Sequence, residues 1–136
     1  MAVRSVKELI VYRKAYEVAM RIFMISKRFP REEQYALTGQ IRRSSRSVCM
    51  NLREAWAKRR YLRHFVSKLT DCDGENSETD TSLDFARDCG FITTQEHLDL
   101  TASCTEIGKM LGSMIQHPTP FLLAPVSQDH SCDPDP

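Results

Sequence analysis

A chain of 136 residues can bury one real core but is too short for two comfortable domains. Its 41% hydrophobic and 27% charged content is ordinary for a globular chain, and five glycines are too few for the corners of a turn-rich β sandwich or barrel. The net charge of +1 conceals an asymmetry: residues 1–68 hold 17 Lys and Arg against 5 Asp and Glu, and residues 69–136 hold 2 against 13.

Such halves either neutralise each other within the fold or between subunits, or they present opposite faces to partners. No run approaches the ~18 apolar residues of a membrane span. The start MAVRSVKELIVYRK has no sustained apolar stretch, so neither a membrane nor a signal peptide is expected. Cys49, Cys72, Cys89, Cys104 and Cys132 form no C-x-x-C pair. The first four read as core or near-core, which predicts reduced thiols in a cytoplasmic protein.

The first helix is expected over residues 6–29. Tyr12, Ala15, Tyr16, Ala19, Ile22, Phe23 and Ser26 follow three- and four-residue spacing, and Ser5 with Glu8 matches a capping box. Pro30 ends it. The second helix is expected over 33–59, with Glu32 and Glu33 in its first turn. Leu37, Ile41, Ser44, Val48, Leu52 and Ala55 share one face at about 100° per residue. Arg42, Arg46, Arg53 and Arg60 fall within about 40° of each other on another. Gly39 costs about 1 kcal/mol of helix propensity and so predicts a close backbone approach.

The third helix is expected over 61–89, with Leu62, Phe65, Leu69, Cys72, Asn76, Thr79, Leu83 and Ala86 as its stripe and Gly90 as its stop. Asp71, Glu75 and Glu78 flank the stripe on one side, and Asp73, Asp80 and Asp84 on the other. The fourth, over 93–117, opens on the Thr93/Glu96 capping box and buries Leu100, Cys104, Ile107, Leu111 and Met114. Residues 118–136 carry five prolines and no periodicity, an irregular tail after a bundle spanning 1–117. Phe121, Leu122 and Leu123 can rest on the bundle. An all-α, antiparallel up-down-up-down four-helix bundle is the economical fold.

Chemistry has little to stand on. His64, His97, His117 and His130 follow Tyr61, Thr94, Met114 and Ser127 at the third position, so the Glu-x-x-His pairs of a di-iron bundle are absent. Counted from Asp71, a calcium loop would need Gly at Asn76 and Glu at Ser82. No phosphate loop, nucleophile elbow or zinc spacing occurs. No catalytic residue, metal or cofactor is expected.

The distinctive feature is basic. Arg42, Arg43, Arg46, Arg53, Lys58, Arg59, Arg60 and Arg63 form a candidate nucleic-acid-binding set suited to phosphate contact, RNA or DNA, with weak sequence selectivity. Only Trp56, at one edge, offers an aromatic platform. The alternative is a scaffold in which the arginines pair with the acidic third helix of the same or a neighbouring subunit.

The order IRRSSRSVCMNLREA, then Phe65, Leu69, Cys72, Gly74, Glu78, Leu83, Ala86 and Gly90-Phe91, resembles the four-helix-bundle proteins encoded in 23S rRNA intervening sequences. Their approximate pattern Q-I-R-R-A-x-x-S-I-x-x-N-I-A-E-G is met by Gln40, Ile41, Arg42, Arg43, Ser47, Asn51 and Glu54. Leu9 to Ala15 and Phe29-Pro30 match as well, and the resemblance spans about residues 6–115. Arg53 stands where the pattern has a small residue, Ala55 where it has Gly, and Glu75 where it has Ser. The resemblance implies a bundle assembled into a ring, a homopentamer, with a basic surface. It makes Gln40, Asn51, Glu54, Gly74, Glu78 and Gly90 a structural signature. A relative of the fold is an accessory to a retroelement reverse transcriptase and is linked to nucleic-acid binding.

Overall fold

The computed structural model describes residues 3–123 and holds four helices: α1 (Ile10–Ser26), α2 (Gly39–Ala57), α3 (Leu62–Asp88) and α4 (Thr94–Gln116). No strand occurs among the described residues. No helix there is long and apolar enough to cross a membrane. The tail beyond Leu123 lies outside the described residues.

Both early helices start later than their periodicity predicts. Ser5 does accept a hydrogen bond from a backbone N–H, that of Lys7, but it caps only the tight turn Val6–Glu8. Leu9 is extended at φ −72°, ψ 135°, and α1 begins after it. The break accompanies the burial of Val6 and Leu9, whose apolar surface is thereby removed from water.

Ahead of α2, Arg31–Glu33 makes one tight turn and Gln34–Thr38 a wide one. Ala36 there leaves the helical region at φ −119°, ψ −106°. A Cβ on Gly39 would stand 3.1 Å from the Gln34 carbonyl oxygen. The close approach is real, but the backbone it meets is the preceding turn of the same segment.

The later helices keep their expected frames. Every predicted stripe residue of α3 is buried except Leu62, and every one of α4 is buried, joined by His97. On α1 the stripe is rotated: Val11 and Val18 are buried, Tyr12 and Phe23 only partly, and Tyr16 is 54% exposed. Cys49, Cys72 and Cys104 sit in the core, whereas Cys89, at the end of α3, is exposed and not core filling.

α3 closes with two bonds, Phe91 N–H to Ala86 O (2.8 Å) and Gly90 N–H to Arg87 O (2.9 Å), with Gly90 at φ 79°. This is a Schellman ending, which needs the left-handed conformation glycine adopts freely. The Thr93/Glu96 capping box forms, and Glu96 also receives Arg28, just after α1, at 2.6 Å.

α1 packs on α2 and α4, and so does α3. The α1–α2 and α3–α4 pairs therefore make opposite sides of the molecule. Ile22, Ile41, Leu52, Phe65, Leu69, Leu83, Leu100, Ile107 and Leu111 fill the centre. The polar residues interrupting α3's stripe are satisfied there: Thr79 Oγ1 lies 2.8 Å from Ser44 Oγ, and Asn76 Nδ2 donates to Cys104 O at 2.8 Å. Buried polar groups so bonded cost little and fix the helix register.

Candidate nucleic-acid interface

Because α2 packs between α1 and α3, its arginines diverge onto two flanks and a corner. On the α1 flank, Arg42 Nε donates to the buried Ser26 Oγ (2.8 Å), and its guanidinium stands 4.9 Å from the Phe23 ring centroid. Arg46 (5.7 Å) and Lys27 (4.8 Å) approach the same ring. Three cations thus gather around one half-buried ring, each within reach of cation–π attraction. Farther along, the charge of Arg53 acts on Tyr12, whose ring stacks on Tyr16 at 6.2 Å. Burial, with Cys49 and Tyr16 adding to it, pushes the Tyr12 hydroxyl up, and Arg53 partly offsets this.

The expectation that Trp56 alone offers these arginines an aromatic platform is therefore corrected. α1 supplies Phe23, Tyr12 and Tyr16, which α2's own sequence cannot reveal. Their signal was present in α1, but a partner's position across two helices is a tertiary fact.

On the α3 flank, Arg43 reaches Glu78 (3.4 Å) and Glu75 (3.8 Å). Lys68 gathers Glu54 (3.4 Å), Asp71 (3.5 Å) and Asn51 Oδ1 (3.4 Å), while Asn51 Nδ2 donates to Ser47 O. Asn51, Glu54 and Glu78 thereby tie α2 to α3. Gln40 is exposed, and a Cβ on Gly74 would meet nothing within 4 Å, so neither is demanded by packing in the single chain.

The corner after α2 holds Lys58, Arg59, Arg60 and Arg63. α2 ends at Ala57, so Arg60 does not continue the helical ladder. Arg59 stacks on Trp56 at 3.7 Å and donates through Nε to Trp56 O (2.8 Å); burial lowers its pKa. It stays a cation, since guanidinium in proteins does not deprotonate. Arg60 is exposed and Arg63 is engaged. Tyr61 meets His64 edge-on at 5.8 Å.

Among the described residues, no group of three or more His, Cys, Asp or Glu is placed to hold a metal ion. Arg42, Arg46, Arg53, Lys58, Arg59 and Arg60 form no ion pair with a described carboxylate, although acidic α3 is adjacent to α2. On the opposite side Asp73 and Asp80 line a groove between α3 and α4 with Asn76, Ser77 and Gly108. Burial, and then Asp84, pushes the Asp80 carboxyl up, with His97 opposing.

These features define a class: a four-helix all-α protein with a strongly cationic second helix and corner. The chain belongs to the family of 23S rRNA-intervening sequence proteins, whose profile matches residues 7–113. It is similar to a solved protein of unknown function from the S23 ribosomal protein family of Bacteroides thetaiotaomicron VPI-5482. The two are 30% identical with a TM-score of 0.71, over 79% of this chain and 96% of that one. No curated protein matches the chain.

Proposed function

We propose that this protein is a non-enzymatic, homo-oligomeric helical bundle, its helices running up-down-up-down, that holds the phosphate backbone of RNA or another nucleic acid on its basic surface. The observation that carries the reading is the run of cations from Arg42 to Arg60 of which only Arg43 is neutralised by described acidic residues. The corner set Lys58, Arg59, Arg60 and Arg63 is the primary phosphate contact, because it stands clear of the apolar face described next. Short links between sequential, mutually packed helices support the up-down order.

A second observation favours assembly. Tyr16, Met20 and Met24 of α1 and Met50 of α2 are 54, 47, 56 and 67% exposed, beside Arg46 and Arg53. Exposed Met and Tyr among arginines is interface composition. The acidic α3–α4 side lies opposite, so a head-to-tail contact between unlike sides of successive copies would use both and could close a ring such as a pentamer. Here the α1–α2 arginines serve the neighbour's Asp73 and Asp80, and a distinct protein partner is the other occupant this face would suit.

Fluorescence anisotropy of a labelled 20-nucleotide poly(U) strand across a potassium chloride series tests the binding reading. The expected result is affinity falling linearly in log–log form, with about four phosphates neutralised. Absent binding at low salt, or binding indifferent to salt, overturns it. Light scattering of Arg46→Glu, alone and with Asp80→Lys, tests assembly: loss of the oligomer in the first and recovery in the second are expected. An unchanged mass in both removes the reading.

A further inference from the structure

The chain returns to the basic corner after α4. Thr119–Phe121 forms a tight turn, Phe121 stacks on the α3 core residue Phe65 at 6.4 Å, and Leu123 N–H donates to Arg59 O at 3.3 Å. Position 123 is thus held on the backbone of a corner arginine. Two sequence facts meet there. Residues 55–70 hold Lys58, Arg59, Arg60, Arg63 and Lys68 with no acidic residue. Residues 124–136 hold Asp129, Asp133 and Asp135 with no Lys or Arg.

We propose that residues 124–136 dock on the corner formed by Lys58, Arg59, Arg60 and Arg63, as an intramolecular polyanion that competes with phosphate for those cations. The competition rests on the phosphate-binding reading; the docking does not. Anchorage at Leu123 keeps Asp129 within six residues of Arg59, so the carboxylates act at the millimolar effective concentration of a short tether. Each exposed pair is weak alone and screened by salt. The tail therefore sets a threshold for binding instead of blocking it: a long polyanion carrying more phosphates displaces three aspartates, and a mononucleotide does not.

Trp56 is the chain's single tryptophan and lies under Arg59, which makes it a reporter of the corner. A nitroxide on Cys132, in a Cys89→Ser background, should quench Trp56 emission at 20 mM salt. Quenching should weaken at 500 mM salt and in the Asp129→Asn/Asp133→Asn/Asp135→Asn chain. Quenching that ignores both salt and the substitutions, or no quenching at 20 mM, overturns the docking.

The same triple variant without label should bind poly(U) about three- to tenfold more tightly at low salt, the scale of a few screened contacts. Unchanged affinity with charge-dependent quenching overturns the competition alone. If neither chain binds poly(U), the phosphate-binding reading fails while the quenching still decides the docking.

Discussion

Ser44 Oγ and Thr79 Oγ1 lie 2.8 Å apart in the interior, one hydroxyl from α2 and one from α3. Thr79 Oγ1 also lies 3.0 Å from Glu75 O and Ser44 Oγ 3.4 Å from Ile41 O; with one proton each, Ser44 donates to Thr79 and Thr79 to Glu75 O, the shorter pair of contacts. Thr79→Val should cost about 1–2 kcal/mol, because it leaves a buried Ser44 with only its long local bond. The double variant Ser44→Ala/Thr79→Val should cost less than the two single changes added together. Urea denaturation of all four chains measures the coupling, and strict additivity would refute it.

Two signature glycines should respond oppositely to alanine. Gly90, at φ 79°, should lose about 1–2 kcal/mol, since a Cβ is strained in the left-handed region. Gly74, mid-helix and facing open space, should gain about 0.5–1 kcal/mol in chain stability. Thermal melts compare them. If Gly74→Ala instead loses the oligomer, the glycine serves a neighbour's approach.

Asp80 makes stability depend on pH in a stated direction. Its folded pKa is raised by burial and by Asp84, so its contribution is full below the unfolded value and lost as pH rises through the folded one. Charged Asp80 is thus a liability at neutral pH. In the dissociated chain Asp80→Asn should raise the melting temperature by about 2 °C at pH 7, whereas in the proposed oligomer it removes a partner of the neighbour's arginines. The gain should shrink towards pH 3, where both states are protonated. A gain equal at both values would point to packing in place of charge.

Thiol reactivity should follow burial. Burial pushes Cys49 to about 11 and Cys104 to about 12, and Cys72 upward as well, so these thiols hold almost no thiolate at pH 8. In a Cys132→Ser chain, a disulfide reagent should titrate Cys89 quickly and the other three only after guanidinium unfolding. Fast reaction of more than one native thiol contradicts the core placement.

The sequence alone determined the number and kind of elements, the buried stripes of α3 and α4, the Thr93 cap and the Gly90 stop. These depend on spacing and on the conformational limits of single residues, which are local properties. The Val6–Leu9 break and the wide turn before Gly39 were not legible, because helical periodicity runs through both and only tertiary burial decides against continuing the helix. The arginines were legible as a set but not as a surface. Their partition among Phe23 on α1, Glu75 and Glu78 on α3, and the corner beside Trp56 and Leu123 depends on which helices flank α2 and where it stops. Only the assembled chain brings the cations, the rings that carry them and the carboxylates that neutralise one of them within reach of each other.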